Sequence, residues 1–238
     1  MLDYFFVLLL KMFPKLSQFK HIYFRKELIF LRPIQWTTED FNVFTIDGLE
    51  ERMEALTTHV RPKFHALGDD FSAFFSTELG EEFFPHVAKH ARRTVNPPKD
   101  SWVAFAPYKR GYKALPHFQI GLWNSHLFIM VAVIYEAPNK AIMAERLLEN
   151  VKQITSLPTH YVLSGDHMSP AATTLQDADE EGTIALLKRL RDVKKAEFLV
   201  GVHVPVEEAV KLSGEAFTAL VEETFTNLLP IYKTLTAR

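Results

Sequence analysis

The chain has 238 residues, 47% of them hydrophobic and 24% charged, with thirteen Pro, nine Gly and a formal net charge of −2. That is an ordinary globular composition, long enough to bury one large core, and its charge gives no global pull toward nucleic acid or anionic lipid. The lack of Cys excludes disulfides, thiolate metal sites and Cys nucleophiles, and it fits a reducing, cytoplasmic compartment.

In chain order, the apolar run Tyr4–Leu10 is too short to span a bilayer and lacks the flanks of a signal peptide, so no membrane span is expected. Residues 1–35 show no clean period and are expected to form an extension outside the core fold, with residues 36–238 as a single domain. Thr37 or Thr38 is placed to cap a first helix. In DGLEERMEALTTHV, Asp47 and Glu50 form a capping-box pair, and Leu49, Met53, Leu56 and Val60 share one face. Pro62 is expected to kink or end that helix. Phe64, Leu67, Phe71 and Phe74 continue the apolar stripe, and FFPHVAKHARR is expected to be a short helix stopped by VNPP.

The period then changes from 3.6 to 2. SWVAFA alternates as a strand, and PHFQIGLW sets Phe118, Ile120 and Leu122 on one face against His117, Gln119, Gly121 and Trp123. HLFIMVAVIY is apolar on both sides, as a central strand should be, with Asn124-Ser125 as a hairpin turn that opposes Gln119 to Met130. A helix follows Asn139. HYVLSGDH is strand-like, and DADEEGTIALLKRLRDV is a helix with an acidic start and a basic end. EFLVGVHV alternates again, and a last helix after Ser213 is expected to turn Phe217, Leu220, Val221, Phe225 and Leu228 inward. Hairpins followed by amphipathic helices imply α+β: a mainly antiparallel sheet with long helices on one face. The echo F-x-[IV]-G-[LV] at 118–122 and 198–202 points to an internal duplication of a strand-strand-helix unit.

Four chemistries compete. His86 and His90 have helical metal-ligand spacing and His117 or His126 could join them, but Val87 stands where zinc proteases place their Glu; the plainer alternative is surface histidines. Ser164-Gly165-Asp166-His167 is explained equally well by a turn, since no nucleophile elbow surrounds any serine. No glycine-rich phosphate loop occurs. The fourth is charge. Residues 37–85 carry three basic and eleven acidic side chains, whereas residues 86–126 carry seven and one. Within the second segment, Arg92, Arg93, Lys109, Arg110 and Lys113 are interleaved with Tyr108, Tyr112 and Trp123, and His117, Gln119 and Trp123 line the polar side of the adjoining strand. Either these cations pair with the acidic helices, or they form a binding surface for a small anion, a nucleotide-like ligand or single-stranded nucleic acid.

The words FPHVAKHARRTVNPPKDSWVAFAPYKRGYKALPHFQIGLWNSHLFIMVAVIYEAPNK, with TTEDFNVFTIDGLEERMEAL before them, resemble the YktB-like family of uncharacterised proteins from low-GC Gram-positive bacteria. The resemblance runs over about residues 37–238 and implies a cytoplasmic α+β protein with an antiparallel sheet. It brings no activity, cofactor or catalytic residue. The leading expectation is therefore a non-catalytic binding module, with a histidine-based, metal-dependent hydrolase as the alternative. A protein-interaction module, with Trp123 buried between two subunits, is the third.

Overall fold

The structure is a computed structural model that describes residues 33–237. Helix α1 (Thr38–Asn42) runs into a 3-10 turn, Val43–Thr45. Helices α2 (Leu49–Ala55) and α3 (Arg61–Leu79) follow, then strands β1 (Phe84–Val87), β2 (Asp100–Ala106), β3 (His117–Trp123) and β4 (His126–Val133). Helices α4 (Lys140–Glu149) and α5 (Lys152–Thr155) lead to β5 (Val162–Ser164), β6 (Thr173–Thr174) and α6 (Leu175–Asp192). The chain closes with β7 (Phe198–Pro205), α7 (Val206–Ala209) and α8 (Gly214–Thr236). The seven strands form one sheet in the order β1-β2-β3-β4-β7-β5-β6, with every neighbouring pair antiparallel.

The two faces differ. Val103, Phe105, Phe118, Ile120, Leu122, Ile129, Val131, Phe198 and Val200 join the helices in one large core. Its centre is aromatic: Phe118 stacks on Phe75 of α3 at 4.1 Å and on Tyr232 of α8 at 4.7 Å, with Phe225 at 5.4 Å. Each such fully buried ring contributes roughly 1.5–3 kcal/mol of burial. The opposite face makes a smaller cluster from Trp123, Phe128, Met130, Ala132, Ile134, Val162 and Leu199, with no helical residue in it. It is nonetheless buried, under the loops 107–116 and 165–172 that connect its strands.

Most of the expected elements stand where the periodicity places them. Thr37 precedes α1, its N–H donating to Asp40 Oδ2 at 2.8 Å. Gln119 faces Met130 across the two-residue turn. Asn139 precedes α4, and the Ser213 hydroxyl accepts the Ala216 N–H at the start of α8. Within α6, Asp179 leaves helical geometry at φ 52° and caps the second half by accepting the Gly182 N–H at 2.9 Å.

Two expectations fail, and a third is met in another form. Asp47 caps nothing; α2 opens after Gly48, held at φ 85°. At Pro62 the helical run is interrupted rather than stopped: α2 ends at Ala55 and α3 begins at Arg61. A π-helical turn, Leu56–Val60, precedes it, with the Arg61 N–H reaching back to the Leu56 carbonyl. The wider turn accommodates a residue that cannot supply the next i→i−4 bond, so Pro62 sits in the first turn of α3. Last, FPHV is not a helix but edge strand β1, with Pro85 opposite Phe105. The residue before a proline avoids the α region, and a proline is tolerated on an edge strand. His86 and His90 therefore do not share a helical face. The extension expected over residues 1–35 lies almost wholly outside the described residues.

The two glycines of the echo lie on the second face, where strand and side chain come close. A Cβ on Gly201 would stand 2.0 Å from the Ile129 carbonyl oxygen, and one on Gly121 would stand 2.2 Å from the Phe128 ring. A Cβ on Gly111, in the loop 107–116, would meet nothing within 4 Å. Gly201→Ala is therefore expected to cost about 1–3 kcal/mol by overpacking against backbone that cannot yield. Gly111→Ala is expected to stay within about 0.5 kcal/mol. Urea denaturation of both variants checks this.

Candidate functional site

One recess lies on the second face and another at the β1 edge of the sheet, with a wall of rings and amides between them. The Trp102 Nε1–H donates to the Tyr112 hydroxyl at 2.9 Å, and Tyr112 meets the His117 ring edge-on at 4.7 Å. His117 Nδ1–H donates to the Leu115 carbonyl at 2.8 Å, which leaves Nε2 to accept from the Gln119 amide at 2.8 Å. That pairing fixes a neutral tautomer, and burial pushes the His117 pKa down to about 4. Further along the face, His126 and His203 stack at 3.9 Å, and burial takes them to about 4 and about 3. His90, with Nε2 3.2 Å from Ser101 Oγ, is pushed by burial to about 4.

On one side of the wall is a small cavity of about 20 Å³, room for a single water or ion. Asp100, Gln119, Trp123, Asp166, His167 and His203 are among the groups that line it. Asp100 is 4% exposed, and burial raises its pKa to about 6. Asp166 and His167 come from the turn after β5. The Asp166 carboxylate accepts the Met168 N–H at 2.8 Å, as a turn residue does. The turn also docks His167: its Nδ1 lies 2.9 and 2.7 Å from the two carboxylate oxygens of Glu197, and its backbone N–H donates to Glu197 Oε2 at 2.8 Å. Burial pushes the Glu197 carboxyl up, but the bonds from His167 outweigh it and hold it below its ordinary value.

On the other side is an open cleft of about 950 Å³ between α3, β1 and the loop 107–116. Its cations are Arg61, Lys89, Lys109, Arg110 and Lys113, and its one carboxylate, Glu136, pairs with Lys113 at 2.9 Å. Arg61 donates to Thr57 Oγ1 and to the Lys89 carbonyl, while its Nε–H has no acceptor among the described residues. Tyr108 is 54% exposed at the rim, and His86 Nε2 lies 3.0 Å from the Tyr108 carbonyl.

The expected site residues are thus divided. Lys109, Arg110 and Lys113 gather at the cleft; Gln119 and Trp123 line the cavity; His117 is buried in the wall between them. Arg92 is exposed and lines neither recess, and Arg93 donates to the Asn96 carbonyl. The face expected to be exposed is covered, and Trp123 is 8% exposed within the single chain, so no second subunit is needed to bury it. Among the described residues, His86, His90, His117 and His126 do not gather into a metal-ligand group. No ion pair among the described residues joins the cations of the cleft to carboxylates of residues 37–85. Arg61, Glu136 and Glu197 gave no local signal in the sequence, because each reaches its site from a distant segment.

No helix of the described residues is long and apolar enough to cross a membrane. The family described as "Domain of unknown function (DUF1054)" matches residues 36–232. A "UPF0637 protein" of Lysinibacillus sphaericus (strain C3-41) is 64% identical over 205 residues, covering 86% of this chain and 97% of the relative. One from Bacillus thuringiensis (strain Al Hakam) is 50% identical over 194 residues, covering 81% and 93%. A third, from Bacillus mycoides (strain KBAB4), is 49% identical over 198 residues, covering 83% and 95%.

The second face sets a pH dependence. His90, His117, His126 and His203 all have folded pKa values of about 3 to 4, below the ordinary 6.5. The unfolded chain therefore binds protons that the folded chain refuses, and stability falls as pH drops from about 6.5 toward 4. Asp100, raised to about 6, acts in the opposite sense, as one group against four. Urea titrations at pH 7 and pH 5 are expected to show a loss of roughly 1–2 kcal/mol per histidine, and a smaller loss in His203→Asn. Equal stability at the two pH values would mean these rings are protonated in place.

Proposed function

We propose, on the premise that the chain belongs to the DUF1054 family of uncharacterised proteins, that it is a non-catalytic cytoplasmic module binding a small anionic, nucleotide-like ligand in the basic cleft. The observation that carries this reading is five cations around one recess whose single carboxylate is already paired. Lys109 and Arg110 are exposed at its mouth without an ion pair among the described residues. Arg61 adds a guanidinium held by Thr57 and the Lys89 carbonyl, and guanidinium groups suit phosphate and carboxylate oxygens. Tyr108 and Tyr112 supply rings on which a base can stack. A volume of about 950 Å³ matches a small-molecule site. Single-stranded nucleic acid would use a longer track of charge, so it ranks second. In this reading His117 supports the cleft through Tyr112, and Arg92 and Arg93 fall outside it.

Isothermal titration with ADP, inorganic phosphate and a ten-nucleotide strand, at low and high salt, tests the assignment. ADP is expected to bind, more weakly at high salt, and Lys109→Glu with Arg110→Glu is expected to cost about tenfold or more in affinity, about 1.4 kcal/mol. Arg92→Glu with Arg93→Glu is expected to change little. Binding that survives the first pair unchanged, or no binding of any of the three probes, overturns the cleft as an anion site.

A further inference from the structure

The small cavity on the other side of the wall has the opposite chemistry. Asp166, His167 and Glu197 each present a ligand atom, and these atoms lie within 4.8 Å of one another. Small rotations close that spacing to what donors sharing one ion need, with bonds of about 2.0–2.2 Å. We propose that these three side chains hold a divalent transition-metal ion, with an open coordination position facing the cavity.

A second observation is independent of that cluster. Asp100 enters the same cavity from β2, is 4% exposed, takes a hydrogen bond from its own backbone amide, and lies within reach of His167 and Arg93. Burial outweighs these partners, so the charged carboxyl is still costly there. A metal-bound water answers it: the cavity of about 20 Å³ takes one water, which would bridge the ion to Asp100. Three protein ligands plus one water is the pattern of zinc sites that keep an exchangeable position. The donor set selects the ion class. An imidazole among carboxylates favours Zn²⁺ or Mn²⁺ over Mg²⁺ and Ca²⁺, which prefer oxygen alone. The proton that His167 Nδ1 now shares with Glu197 leaves when the ion takes its place.

The test uses the full chain, stripped with chelator and titrated with Zn²⁺ and Mn²⁺ by calorimetry and by thermal shift. One ion per chain and a raised melting temperature are expected for at least one of the two metals. Asp166→Asn alters an exposed turn residue and is expected to leave the fold intact while weakening binding about tenfold or more. His167→Gln should do the same, and His86→Ala with His90→Ala should leave binding unchanged. Co²⁺ loaded in place of the native ion should show a visible spectrum that Asp166→Asn alters. No saturable binding of either metal, or binding that stays within threefold in Asp166→Asn or His167→Gln, overturns the proposal.

Discussion

One constraint organises this molecule: among the described residues, the helices cover only one side of a seven-stranded sheet. The other side is roofed by loops, which bring polar backbone and side chains rather than an apolar stripe. Polar groups taken out of water there must find partners within the protein. The network answers that demand. Trp102 bonds to Tyr112, His117 to Leu115 and Gln119, and His167 to Glu197. The histidines stay neutral for the same reason, since burial penalises their charged form more than any neighbour favours it.

The wall of Trp102, Tyr112, His117 and Gln119 keeps two unlike electrostatic environments apart. The open cleft gathers five cations, and the small cavity gathers Asp100 and Asp166, with Glu197 behind His167. In a region of low effective dielectric such charges act over longer distances than in water. Tyr112 feels carboxylates from both sides: Glu136 at the cleft and Asp100 at the cavity raise its pKa after burial has done most of the work. A ligand in the cleft would press on the same ring that Trp102 and His117 hold, so the two recesses share a mechanical element as well as a boundary.

The alternation along 117–123 and 198–205 was enough to name the strands, their faces and the hairpin register, because a period of two leaves one solution when one face must meet a core. The stripe of α8 was equally plain. Local rules misled where a proline stood. Pro62 was absorbed by a π turn, and Pro85 marked a strand where a helix had been expected, which dissolved the supposed His86–His90 pair. Of the site, the concentration of charge in residues 86–126 was legible, and Lys109, Arg110 and Lys113 do meet. Arg61 reaches the Lys89 carbonyl from 28 residues before it, Glu136 reaches Lys113 from 23 residues on, and Glu197 reaches His167 from 30 residues on. No local pattern announces such meetings. Ser164-Gly165-Asp166-His167 is indeed a turn, as its residues suggested, yet the turn carries the histidine into the cavity.

The borders of the sheet carry one more consequence. At one margin stands β1, only four residues long with Pro85 inside it, and at the other stands β6, of two residues. A short rim strand, or one with a missing amide, is a poor template for an incoming backbone. Among the described residues, neither rim offers a long backbone template for strand addition by a neighbouring copy.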